Sequence, residues 1–170
     1  SVPTAEEEAK AAWANVENDY QRRADLVPNL VNTVKGFAAQ EQEVLTEVTA
    51  ARASATQTRI DADDLDDPAA MQRYSEAQDQ LSGALSRLLV SVERYPDLRS
   101  QENFLMLQSQ LEGLENRIAI SRRDYNDAVR MYNTEIRTFP SLIAARFIYG
   151  AEPMQPYEAT TEGAEEAETK

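Results

Sequence analysis

Residues 104–139 read FLMLQSQLEGLENRIAISRRDYNDAVRMYNTEIRTF, and a bulky apolar side chain returns at every seventh position: Phe104, Leu111, Ile118, Tyr125, Tyr132 and Phe139. Seven residues are two helical turns, so all six project from one side of a single rod that must lie against partner helices. The stretch predicts a helical spine from about Ser100 to Thr138. It is a packing pattern and carries no chemistry of its own.

On its N-terminal side, Pro96 cannot continue a helix, and Tyr95-Pro96-Asp97 reads as a turn into the spine. Before that turn lies a helix with core columns Met71, Leu85, Val92 and Tyr74, Leu81, Leu88, Tyr95. It starts at Asp67-Pro68, an N-cap followed by proline in the first turn, and its one polar intruder is Gln78. The polar, acidic run Thr58–Asp67 is a connection. Upstream, Thr4 and Glu7 fit a capping box, and Ala9, Trp13, Val16 and Tyr20 open an apolar face. Its seven-residue phase continues through Val27, Val34 and Val48, beside a second column of Leu30, Phe37 and Val44.

Pro28 falls inside this face, so the first two helices are either one rod kinked there or two rods with Asp25 as a cap. The unbroken phase favours the kink. A continuous helix to Gln57 would be about 80 Å long, more than its partners can cover, and that tips the expectation to a break near Ala24. Gly36, Gly83 and Gly113 are expected inside helices at a cost of about 1 kcal/mol each, for the sake of close helix approach. Past Pro140, the apolar piece Leu142, Ile143, Phe147, Ile148, Tyr149 is expected to pack on the bundle end. The fold expected is all-α, an elongated antiparallel four-helix up-and-down bundle of coiled-coil type over residues 1–150. Residues 151–170, rich in proline and glutamate without periodicity, are expected as a disordered acidic tail.

The chain has no histidine and no cysteine, which excludes an imidazole base, a thiolate nucleophile, a zinc finger and the Glu-x-x-His di-iron motif. Its 42% hydrophobic content is enough for one extended core without disulfide or metal. The net charge of −13 is concentrated in two places: Asp61, Asp63, Asp64, Asp66 and Asp67 in one loop, and the glutamates from Glu152 onward. The helical body between them is only slightly acidic, and no basic stripe is present for nucleic acid. No apolar run is long enough to span a bilayer, and no export signal opens the sequence.

Four segments stand out as a set: Tyr20-Gln-Arg-Arg-Ala-Asp-Leu-Val-Pro-Asn-Leu30 running into Thr33-Val-Lys-Gly-Phe37 and Glu41; Glu93-Arg-Tyr-Pro-Asp-Leu98; Asn103-Phe-Leu-Met-Leu-Gln108 with Leu111, Glu115 and Arg117-Ile118; and Arg123-Asp-Tyr-Asn126 with Tyr132-Asn133 and Phe139-Pro140. In this order, over about residues 10–150, they resemble the LemA family. The resemblance implies a bacterial four-helix up-and-down bundle, membrane-anchored with the bundle outside the cytoplasm, periplasmic or on the cell surface, and of no established activity. The family places an anchoring segment where this chain opens without one, and an acidic tail is not expected of it. The expectation is thus a non-enzymatic envelope protein, tethered through an N-terminal segment absent here and acting on an unknown protein partner. No cofactor and no small-molecule substrate are expected. The alternatives are a module that captures lipid or an amphipathic peptide in a groove lined by Tyr125, Tyr132 and Phe139, and more remotely a hydrolase.

The candidate interaction residues are Arg22, Arg23, Glu41, Arg123, Arg130 and Arg137. Glu41 falls in the column of Val27, Val34 and Val48 and should face the core unless the helix face shifts, with an arginine of the spine as its natural partner. Arg123, Arg130 and Arg137 repeat at seven-residue spacing, a row that could hold anionic head groups or an acidic strand, although internal salt bridging is the favoured reading because charge runs on long helices are usually solvated faces. Arg22 and Arg23, beside Asp25, are expected to serve the helix junction. Glu112 and Glu115 share a helix face as a glycosidase pair would, but without a cleft they are ordinary surface groups.

Overall fold

The computed structural model describes residues 2–138 and 152–157. Among them are five α-helices and two single 3-10 turns: α1 Val2–Lys35, α2 Gln42–Gln57, α3 Pro68–Ser91, α4 Pro96–Arg99 and α5 Glu102–Thr138, with the turns at Ala62–Asp64 and Val92–Arg94. The spine is as expected. Phe104, Leu111, Ile118, Tyr125 and Tyr132 are all buried, at 5% exposure or less; Phe139 and the apolar piece past Pro140 lie outside the described residues. Asp67 caps α3 by accepting from the amides of Ala69 and Ala70, with Pro68 in the first turn.

α1 packs chiefly on α5, and α2 on α3 and α1. Along the first pair, Asp19 meets Ser121, Arg23 meets Glu115 and Thr33 meets Asn103, so the two rods run in opposite senses. At 34 and 37 residues they are about 50 and 55 Å long, whereas α2 has 16 residues and covers only about 24 Å. The bundle is therefore not four comparable helices. One half of the core, built on Val27, Val34, Leu45, Val48, Leu81, Leu88 and Phe104, has α2 as its fourth wall. The other half, around Trp13, Tyr20, Tyr74, Ile118 and Tyr125, has no fourth helix among the described residues. Ile60 and Leu65 of the connecting loop and Met154 and Tyr157 of the C-terminal segment close it instead.

The break expected near Ala24 does not occur: α1 runs through Pro28 to Lys35 and ends at the turn Gly36–Gln40. The missing N–H of proline leaves the carbonyl four residues earlier without its helical donor. That carbonyl is Ala24 O, and Arg52 of α2 donates its Nε–H to it at 2.8 Å. A side chain from the neighbouring helix thus supplies the bond, and the rod continues. The helix also starts at Val2, so Thr4 lies within it and not at a cap. In the turn, the amides of Phe37 and Ala38 both reach Val34 O, Ala38 is buried, and Phe37 is 44% exposed, not a core column.

Close helix approach does not explain the glycines. Gly36 is in the turn, a Cβ on Gly83 would make ordinary contact with the Arg87 guanidinium at 3.5 Å, and one on Gly113 would meet nothing within 4 Å. Gly113→Ala is accordingly expected to stabilise the protein by about 1 kcal/mol, a rise of roughly 2–4 °C in Tm by scanning calorimetry, since alanine adds helix propensity at no steric cost.

Candidate functional site

The segment expected to begin the disordered tail is, over residues 152–157, seated on the bundle. Asn133 of α5 pairs with both backbone groups of Met154, accepting its N–H at 2.9 Å and donating to its carbonyl at 3.0 Å. One heptad earlier, Asn126 pairs in the same way with Tyr157, at 2.7 and 3.0 Å. Between them, the Gln155 N–H donates to Leu65 O at 2.8 Å, and its carbonyl accepts from the Tyr125 hydroxyl at 2.7 Å. The spacing explains the fit. Seven helical residues rise about 10.5 Å, and three extended residues span about 10 Å, so amides at 126 and 133 meet backbone groups three apart.

Met154 and Tyr157 point inward, at 6% and 1% exposure. The Tyr157 ring lies 6.0–6.4 Å from the rings of Tyr20, Tyr74 and Trp13, within the range of favourable aromatic contact. Tyr20 donates to its hydroxyl at 2.9 Å, and the Arg122 guanidinium lies 4.3 Å over its ring. Burial pushes the Tyr157 phenol well above its ordinary pKa, and neighbouring Tyr20 adds to this while the Arg122 charge opposes it.

A second polar constellation ties the three long helices together. Arg23, 1% exposed, donates to Ser82 Oγ at 2.6 Å, to the Gln78 carbonyl and side-chain oxygen at 2.9 and 3.0 Å, and to Glu115 at 3.1 Å. Its guanidinium also lies 4.9 Å over the Tyr20 ring. Gln78, the intruder in the apolar column of α3, is there to receive it. A helical turn earlier on α1, buried Asp19 accepts from the Ser121 hydroxyl.

The other sequence candidates fall apart from one another. Arg22 is exposed on α1, beside a shallow groove against α5 with Asp25, Gly113 and Arg117; neither it nor Arg23 serves a helix junction, because the helix does not end there. Glu41 is not in a core column. It stands at the N-cap position of α2, its side chain 14% exposed, and it pairs with Arg94 and accepts from the Tyr95 hydroxyl at 2.9 Å. Its arginine comes from the 3-10 turn Val92–Arg94 that follows α3 and not from the spine, because the turn over residues 36–40 moves residue 41 out of the helical phase. Arg123, Arg130 and Arg137 are exposed on α5, and Arg130 forms an ion pair with Asp127. Tyr125 and Tyr132 are buried in the core and do not form a shared groove: Tyr132 borders only a small pocket of about 100 Å³ beside the acidic loop, with Lys10, Asp63 and Met154, and Tyr125 does not line it; Phe139 lies outside the described residues. The sequence signal for where residues 152–157 dock is the repeated pair Tyr125-Asn126 and Tyr132-Asn133, in which each tyrosine packs inward and each asparagine beside it bonds to the segment.

A cleft of about 380 Å³ lies between α1, the end of α2 and α3, lined by Glu17, Gln21, Thr58, Arg59, Tyr74 and Gln78 among others. Burial raises the Glu17 pKa, with Arg59 opposing. Glu17 is the one carboxylate on its lining, whereas acid–base hydrolysis of the glycosidase kind takes two converging ones. Among the described residues no group of three or more acidic side chains is placed to hold a metal ion, and no helix is long and apolar enough to cross a membrane.

The sequence profile described as "LemA family" matches residues 12–170, so the matched region extends past residue 150 and takes in the seated segment. Two relatives are Magnetosome protein MamQ 2 of Paramagnetospirillum magneticum, 29% identical over 153 residues, and Magnetosome protein MamQ of Magnetospirillum gryphiswaldense, 28% identical over 153 residues. Protein LemA of Metamycoplasma hominis is 24% identical over 132 residues. The matches cover 81%, 81% and 78% of this chain and 56% of each relative, so the chain spans a little over half the length of the curated proteins it resembles. With the profile matching all but the first helical turns, the chain belongs to the LemA family.

Proposed function

We propose that this chain is the helical body of a membrane-tethered, non-enzymatic interaction module of the bacterial envelope, an up-and-down bundle that lies outside the cytoplasm and works through protein contacts. The observation that carries the reading is the flank of α5: asparagine side chains hold an extended polypeptide segment by its backbone, which is a surface built for polypeptide and not for a small molecule. Family membership supports it, and relatives nearly twice the length of the match leave room for a tether in those proteins. In this reading the membrane affinity resides in the tether and very little of it in the bundle. A net charge of −13 opposes approach to anionic lipid, and Arg130 of the exposed row is already paired with Asp127.

The test is co-sedimentation of this chain with phosphatidylglycerol-containing vesicles at low and physiological salt, alongside the double variant Arg123→Glu, Arg130→Glu. Both proteins are expected to remain in the supernatant. Salt-sensitive binding by the wild type that is lost in the variant would overturn the reading in favour of a lipid-binding body.

A further inference from the structure

We propose that the flank of α5 is a receptor site for an extended peptide carrying an apolar residue three positions before a tyrosine, with acidic residues beside it, and that the chain's own Met154–Tyr157 occupies this site in cis. The proposal rests on the reading of the bundle as an interaction module and names its contact surface.

Recognition is divided between backbone and side chain. From Met154 to Tyr157 every backbone N–H is taken, and every one of these acceptors, together with the donors to the carbonyls of 154, 155 and 157, belongs to the bundle: Asn133, Asn126, Tyr125 and the Leu65 carbonyl. Such bonds are indifferent to sequence. Selectivity comes from the two inward pockets, one filled by Met154 and one by Tyr157, whose hydroxyl has a dedicated partner in Tyr20. An apolar side chain without a hydroxyl would leave that buried Tyr20 hydroxyl unpaired.

The intervening positions are unconstrained. Gln155 and Pro156 are half-exposed, and an open cleft of about 450 Å³ runs alongside Pro156 and Tyr157. A larger residue than proline fits at position 156. Arg137 stands on the rim of this cleft beside Arg130, which is paired with Asp127, so Arg137 sets the charge preference; in the sequence Tyr157 is itself followed by Glu158. The occupied site also has a built-in reporter, because the chain's one tryptophan, Trp13, is fully buried 6.4 Å from the Tyr157 ring.

A tethered copy of the segment competes at an effective concentration in the millimolar range, so a partner must displace it, and weakening the cis segment should open the site. The full chain carrying Tyr157→Ala is titrated with the capped peptide Glu-Pro-Met-Gln-Pro-Tyr-Glu, the sequence of residues 152–158, while Trp13 emission is followed. Saturable binding is expected, at least tenfold tighter than to the wild-type chain. Adding Asn126→Ala and Asn133→Ala, or replacing the peptide's tyrosine with alanine, is expected to weaken it at least tenfold. Absence of saturable binding by a variant that keeps its helical circular dichroism would overturn the proposal, as would equal binding of the alanine peptide. A measurement on the wild-type chain decides the matter independently of the variant. The amides of Met154 and Tyr157 should exchange with solvent at least a hundredfold faster than the central amides of α5, by local release of the segment. Exchange at the same rate as the core of α5 would make the segment a permanent part of the fold and overturn the proposal. Neither experiment involves a membrane, so failure here leaves the vesicle result to judge the tethered module by itself.

Discussion

Arg23→Ala is expected to lower the unfolding free energy by about 3–5 kcal/mol, among the largest losses of any single change outside the aromatic cluster. The side chain is 1% exposed, so its removal leaves a cavity beside Tyr20 and strips the Gln78 side-chain oxygen of the donor it has at 3.0 Å. Glu115, the charged partner, is 43% exposed and can return to water, so the loss comes from the buried side of the network and not from the ion pair. That assignment separates two further variants. Arg23→Met fills most of the space and should lose only about 1–3 kcal/mol, the cost of the orphaned amide oxygen. Arg23→Met combined with Gln78→Met removes both buried polar groups and should recover much of it. Urea denaturation at neutral pH measures all three; a double variant no better than Arg23→Met would show that the network is worth more than the packing that replaces it. The Arg23 Nε, buried and without a hydrogen-bond partner, is a sign that the network is not optimised for stability alone. One side chain from α1 that must meet Gln78 and Ser82 of α3 and Glu115 of α5 fixes the register of three rods at once.

How much of this was legible in the sequence follows from the range of each interaction. The seven-residue repeat of α5 and the Asp67-Pro68 cap depend on neighbours in sequence, and the structure has them where the sequence puts them; at Tyr95-Pro96 the chain does leave α3, but through a 3-10 turn and the short helix α4 rather than a simple turn. The break is expected near Ala24 because one rod to Gln57 would outrun its partners and Pro28 is a ready place to stop; the chain breaks instead after Lys35, and α1 runs through Pro28. The remedy for the missing proline N–H, Arg52, comes from another helix and has no local signature. Glu41 was misplaced by the same means in reverse: extending the heptad phase through a turn that Gly36 could have marked carried it into the core on paper. The seated segment was the least legible. Proline and glutamate without periodicity describe an extended chain equally well whether it is solvated or docked, and the information that it docks is carried by Asn126 and Asn133 on the helix that receives it. Those residues were visible as parts of a family motif, but their spacing has meaning only once an extended segment is set against it.

Raising the pH above 10 is expected to unfold the protein cooperatively within one to two units. Tyr20, Tyr74, Tyr125 and Tyr157 are each at most 4% exposed, and burial pushes all four phenols above the ordinary value of 10.0. The sign follows from which state takes up hydroxide. Below pH 10 the phenols are neutral in the folded and unfolded chains alike, and the stability they contribute is fully present. Above it the unfolded chain ionises while the folded chain resists, so stability falls until the pH reaches the raised folded values. Each such tyrosine costs the fold about 1.4 kcal/mol per pH unit, and four together about 5–6 kcal/mol, against a typical domain stability of roughly 5–15 kcal/mol. The arginines temper this in part: Arg122 lies over the Tyr157 ring and Arg23 over that of Tyr20, and their charges favour the phenolate there, as the Arg23 charge does at Tyr74, whereas at Tyr125 burial raises the phenol. Phenolate absorbance and helical circular dichroism, followed together from neutral to strongly alkaline pH, should therefore show one shared, steep transition. Gradual ionisation of all the tyrosines near pH 10 with the helices intact would mean that water reaches the half of the core around Trp13, and that the loop and the seated segment do not seal it.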